Sequence, residues 1–127
     1  MEFKDHDLIE SRAYEGILHE EIPLRIPGGN EVPGLHTVRI TLDNPSQYNS
    51  YTTEMVKGVI HGMRRASHDR ACVAVVFTGA GDRAFCTGGD VGKFDEHSRE
   101  SLTEVKERVV DAQRLAVKFD EIDKPVI

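Results

Sequence analysis

The chain is 127 residues long, with 39% hydrophobic and 30% charged residues, a composition that supports one modest domain and excludes a disordered polypeptide. Its net charge of -6 disfavours a nucleic-acid partner, and the lack of a long apolar run disfavours a membrane span. Because the first residues lack the apolar core of a secretory signal and the two cysteines lie in apolar settings, we expect a cytoplasmic protein without disulfides.

The first third of the chain predicts a β-hairpin. Residues 1–15 are polar and without pattern, so we expect a flexible N-terminal arm. Apolar and charged residues mix from Ile17 to Ile26, where Pro23 favours an edge strand. A Gly28-Gly29-Asn30 turn then leads into a segment whose apolar and polar residues alternate as far as Leu42.

The rest of the chain alternates between helical and extended patterns. Thr52 is a suitable N-cap, and the apolar residues that follow it recur at helical spacing as far as Met63. The run Cys72 to Phe77 is short and continuously apolar, which predicts a buried strand. A second amphipathic helix is predicted from Leu102, and a last strand begins after Pro125. This order implies an α/β fold.

The predicted strands are too few to bury the whole apolar face of the second predicted helix. Part of its apolar face would remain in contact with water, at a cost of about 25 cal/mol per Å². We therefore expect residues 16–127 to be the N-terminal part of a larger domain that is truncated at Ile127.

The segment Phe85-Cys86-Thr87-Gly88-Gly89-Asp90 is the most informative motif. Two adjacent glycines let the backbone turn sharply and keep side chains away, and Asp90 can cap a following helix. The turn would leave a backbone N–H facing a cleft, which is what a developing oxyanion requires.

Other motifs favour ordinary structural roles. Gly79 to Ala84 matches a dinucleotide-binding pattern, but no helix opens directly after it, so a connecting loop is favoured. His61, His68, Cys72 and Cys86 lack the spacing of metal ligands, so we predict no metal site. No base is visible that would make a cysteine nucleophilic.

Taken together, four segments resemble the crotonase (enoyl-CoA hydratase/isomerase) superfamily. They are Leu42 to Ser50, Val75 to Gly79, Gly81 to Asp90 and Asp123 to Ile127. The resemblance implies the N-terminal portion of a ββα spiral with a leading β-hairpin. Within the superfamily, Tyr48 to Ile60 and Phe85 to Gly89 resemble the ring-opening 6-oxocyclohex-1-ene-1-carbonyl-CoA hydrolases of anaerobic aromatic degradation.

The resemblance also implies roles for individual residues. The N–H of Gly89 would be one of two oxyanion-hole donors to an acyl-CoA thioester, with Asp90 supporting the turn. The residues expected to line the substrate and its CoA arm are Gln47, Tyr48, Thr87, Gly88, Asp90 and Val91. The second donor and the catalytic acids would lie beyond Ile127, so this chain alone should be inactive. No cofactor is expected besides the CoA of the substrate, and the full enzyme should be a homo-oligomer, a trimer or hexamer.

Two alternatives to ring hydrolysis stay open at this point. The same fold could carry simple enoyl-CoA hydration or isomerisation. A truncated chain could also act as a non-catalytic binding protein.

Overall fold

A computed structural model describes residues 9–89 and 124–127. The elements are β1 (Ile17–Arg25), β2 (Glu31–Leu42), a 3-10 turn (Pro45–Gln47), α1 (Thr53–His68) and β3 (Cys72–Gly79). The predicted α/β fold is confirmed, with the hairpin, the first helix and the buried strand all in place. The helix predicted from Leu102 lies outside the described residues.

The three strands form one mixed sheet in the order β1-β2-β3. β1 runs antiparallel to β2, with Ile17 opposite Leu42, and β2 runs parallel to β3, with Leu42 opposite Gly79. Parallel neighbours need a crossover connection, which α1 supplies. β1 lies at the edge of the sheet, where the missing N–H of Pro23 costs little.

The last residues of the chain extend the sheet on the other side of β3. Val126 forms a parallel bridge with Val75, and the Ile127 N–H donates to the Val75 carbonyl at 2.8 Å. This pairing agrees with the strand predicted after Pro125.

The core lies between α1 and the sheet. The Thr52 side chain accepts a hydrogen bond from the Met55 N–H at 3.2 Å, which caps the helix as predicted. The buried apolar residues are Val38, Ile40, Leu42, Met55, Val59, Met63, Ala66, Cys72 and Val75. Gly62 lets the helix approach the sheet, since a Cβ there would lie 2.9 Å from Ile40 Cδ1. Within the described part of the chain, no helix has the length and apolar character needed to cross a bilayer.

A buried imidazole lies where β1 meets the helix. His19 Nδ1 is 3.4 Å from the Arg65 guanidinium, and its Nε2 is buried without a hydrogen-bond partner among the described residues. Burial, followed by the positive charge of Arg65, lowers the pKa of His19 to about 4. His61 and the ring of Tyr14, whose centroids lie 5.4 Å apart, line the same groove.

Acidification is therefore expected to destabilise the protein through His19. Its folded-state pKa lies below the ordinary value of 6.5, so the unfolded chain binds the proton more tightly. The resulting stability is present above pH 6.5 and is lost as the pH falls toward about 4, with a total near 3 kcal/mol. Urea unfolding between pH 7.5 and 4 measures this loss. A His19→Leu variant should show a shallower acid dependence, and identical slopes for the two proteins would contradict the prediction.

Candidate active site

The loop between β2 and α1 has an unusual backbone. Tyr48 and Asn49 both have left-handed conformations, with φ of 54° and 57°. Asparagine tolerates this region, whereas a bulky aromatic residue rarely adopts it. Tyr48 is 49% exposed. A strained residue with an exposed ring is a feature that often accompanies a binding loop.

Asn49 ties this loop to the segment that follows β3. The residue is 1% exposed, and its Oδ1 accepts from the Asn44 N–H at 3.0 Å. Its Nδ2 donates to the carbonyls of Ala80 and Ala84, both at 2.8 Å. The side-chain amide of Asn49 thus joins its own loop to carbonyls that lie 31 and 35 residues further along the chain. From the sequence alone, Asn49 is an ordinary loop residue without an individual role.

Gly79 makes this close approach possible. A Cβ at that position would collide with the Phe85 carbonyl and would lie 2.7 Å from Asn49 Nδ2. The loop expectation for the segment from Gly79 to Ala84 is confirmed, because no helix begins there. The glycine serves a packing role at the end of β3.

The glycine pair is held by the residues before α1. The Tyr51 N–H donates to the Gly88 carbonyl at 2.8 Å, within a parallel bridge that places Tyr51 opposite Gly89. In such a bridge, Gly89 turns its own N–H away from Tyr51. No acceptor for this N–H occurs among residues 9–89 and 124–127. Gly88 has a φ of 111°, and the space where its Cβ would lie is open.

Of the remaining predicted site residues, Gln47, Tyr48 and Thr87 lie in the described part of the chain. Thr87 Oγ1 donates to the Tyr48 carbonyl at 3.4 Å, so the structure brings Tyr48, Thr87, Gly88 and Gly89 together. Gln47 is exposed on the 3-10 turn. Asp90 and Val91 lie outside the described residues.

A groove of about 290 Å³ opens between the two loops. Its lining residues are Pro45, Ser46, Tyr48, Asn49, Ala80, Gly81, Asp82, Arg83 and Ala84. Phe85, which is 51% exposed, lies in the adjoining segment and packs edge-on against Phe77 with ring centroids 5.1 Å apart. The groove therefore offers backbone polar groups, the exposed Tyr48, the cationic Arg83 and the anionic Asp82 to an extended ligand.

The chain is similar to known proteins over most of its length. The family model for enoyl-CoA hydratase/isomerase matches residues 37–127. A 6-oxocyclohex-1-ene-1-carbonyl-CoA hydrolase of Thauera aromatica is 44% identical over 97% of this chain and 33% of its own length. The enzyme of that name from Syntrophus aciditrophicus is 59% identical over 63% of this chain and 21% of its own length. The chain thus spans about a third or less of these relatives.

The solved structures agree with the sequence comparison. An enoyl-CoA hydratase/isomerase from Xanthobacter autotrophicus superposes with a TM-score of 0.70 and 25% identity, over 90% of this chain and 38% of that protein. The predicted crotonase-type fold is confirmed by this superposition. Because the family model matches residues 37–127, which is most of the chain, the chain belongs to the enoyl-CoA hydratase/isomerase (crotonase) family.

Proposed function

We propose that this chain is the N-terminal part of an acyl-CoA hydrolase that adds water to a conjugated cyclic enoyl thioester and then hydrolyses a ring C–C bond. The observation that carries the proposal is the Gly89 N–H, which is turned away from Tyr51 at a partly exposed position. The 44% and 59% identities to two 6-oxocyclohex-1-ene-1-carbonyl-CoA hydrolases support this substrate class.

One oxyanion donor can serve both proposed steps. When water adds to the β-carbon of an enoyl thioester, negative charge moves to the thioester oxygen. When hydroxide attacks a ring ketone beside the α-carbon, the C–C bond breaks and its electron pair again forms the thioester enolate. A fixed N–H that meets this charge lowers both barriers. Neither step requires a redox group or a metal, so we propose no cofactor beyond the CoA of the substrate.

The groove beside Tyr48 is the proposed path of the CoA arm. Tyr48 and Thr87 are linked by a hydrogen bond of 3.4 Å and flank the glycine pair. We propose that Gln47, Gly88, Asp90 and Val91 complete this path, with Asp90 supporting the turn. We propose that the second oxyanion donor and the catalytic acids come from parts of the enzyme outside this chain, which covers 33% of the Thauera relative.

The proposal extends to assembly and location. Two free thiols, Cys72 and Cys86, are consistent with a reducing cytoplasm. Apolar side chains such as Leu18 and Ile26, which are 45% and 49% exposed, would be covered in a homo-oligomer, which we propose to be a trimer or hexamer. Light scattering of the purified full-length enzyme measures this directly.

A substrate comparison tests the proposed activity. The full-length protein is expected to convert a cyclic 6-oxo-1-enoyl-CoA thioester into a ring-opened product that has gained two molecules of water, as measured by mass spectrometry. A linear enoyl-CoA should react at a much lower kcat/KM. If the linear substrate is hydrated efficiently and the cyclic one gains at most one water, the enzyme is a simple hydratase, the alternative that the family match also accommodates.

A further inference from the structure

Three side chains that can bind metals converge at the end of the sheet remote from the glycine turn. They are Glu21 on β1, His36 on β2 and Asp69 directly after α1. One ligand atom from each lies within 4.8 Å of the other two. The three residues are far apart in sequence, which is why no ligand spacing is visible there.

Two of these side chains are already oriented by other contacts. His36 Nε2 lies 2.7 Å from Asp69 Oδ2, and the second oxygen of Asp69 accepts from the Ala71 N–H at 2.9 Å. The His36 backbone N–H donates to the Ala71 carbonyl at 3.0 Å. The side chains of His36 and Asp69 are 17% and 30% exposed. A carboxylate held through one oxygen presents the other in a fixed direction.

The strands are irregular at this point. The β1–β2 pairing shifts register between Pro23 and Arg25, and the β2–β3 pairing shifts between His36 and Thr37. Such irregularities re-aim side chains. Because Pro23 lies opposite His36, and Glu21 is two residues from Pro23, the side chains of Glu21 and His36 leave the same face of the sheet.

We propose that Glu21, His36 and Asp69 form a binding site for a zinc-type divalent cation. The donor set of one imidazole nitrogen and two carboxylate oxygens suits zinc, whereas magnesium and calcium prefer oxygen ligands alone. Zinc takes such ligands at about 2.0–2.2 Å in a tetrahedral arrangement, so short side-chain movements would close the three atoms around it and leave one position for water.

The expected role of the cation is to fasten the hairpin to the turn after α1. It would replace the hydrogen bond between His36 and Asp69 and would recruit the exposed Glu21 as the third ligand. The site is about 20 Å along β2 from Leu42, where the candidate active site begins, so the cation would contribute to stability and not to the reaction. This inference does not depend on the proposed function.

Zinc titration of the full-length protein tests the site. Calorimetry is expected to show a site that Glu21→Gln weakens at least tenfold, and zinc should raise the melting temperature of the unmodified protein by about 3 °C or more. Glu20→Gln is the matched control, because Glu20 points to the opposite face and pairs with Arg39 at 3.2 Å. This control should bind zinc like the unmodified protein.

A spectroscopic measurement separates this site from scattered surface histidines. Cobalt(II) bound in place of zinc should show the visible absorption bands of a tetrahedral site. The His36→Gln substitution should abolish these bands. Because Glu21 is exposed, its substitution leaves the fold intact even if His36→Gln does not. Unchanged zinc affinity in Glu21→Gln, or the absence of any zinc-dependent rise in melting temperature, would overturn the proposal.

Discussion

Replacing Gly89 with proline is expected to lower kcat of the full-length enzyme by about 10²–10³-fold or more. Proline has no backbone N–H, so the developing charge on the thioester oxygen would lose one of its donors. KM should change far less, because this donor acts mainly in the transition state. Steady-state kinetics with the acyl-CoA substrate measures both quantities.

The matched control for this substitution is Gly89→Ala. Alanine keeps the backbone N–H that proline lacks. The alanine variant should therefore retain far more activity than the proline variant. A folded Gly89→Pro enzyme with near-normal kcat would refute the role of this amide, and circular dichroism establishes that each variant is folded.

Replacing Asn49 with aspartate is expected to destabilise the protein by about 3 kcal/mol or more. The change keeps the shape of the side chain but removes both N–H donors, so the carbonyls of Ala80 and Ala84 would face a buried carboxylate. Activity should fall as well, because the loops that position Tyr48 and the glycine turn would separate. Urea unfolding and kcat/KM provide the two measurements.

Two further variants test how much the side-chain hydrogen bonds of this loop contribute to stability. Asn44→Asp removes one donor, which serves the Ser50 carbonyl at 3.0 Å, and should cost about 1 kcal/mol. Asn49→Gly keeps the left-handed backbone at 57° without the side chain. If Asn49→Gly were as stable as the unmodified protein, the left-handed backbone and not the hydrogen bonds would explain the choice of asparagine.

Local patterns were sufficient for most of the secondary structure. The alternation that ends at Leu42, the cap at Thr52 and the apolar run from Cys72 each depend on neighbours in sequence, so they could be identified without tertiary information. The family could be identified because several such segments occur in one order. The exposed position of Gln47, by contrast, depends on how the 3-10 turn packs.

The residues that hold the site together could not be found in this way. Asn49 resembles any other loop asparagine until the segment after β3 returns to within 2.8 Å of it. The direction of the Gly89 N–H depends on the bridge to Tyr51, which is a contact between two loops. Each of these contacts joins parts of the chain that only the folded sheet brings together.

By itself, the amino-acid sequence determined the order of strands and helix, the glycine turn and the family, because periodicity, capping and turn chemistry act over a few neighbouring residues. Only the tertiary structure decided which loops meet, which asparagine supports them and which ligand-type side chains converge at Glu21, His36 and Asp69. The physical reason is that hydrogen bonds and ligand geometry depend on distances of a few ångströms, and residues far apart in the chain reach such distances only when the sheet assembles.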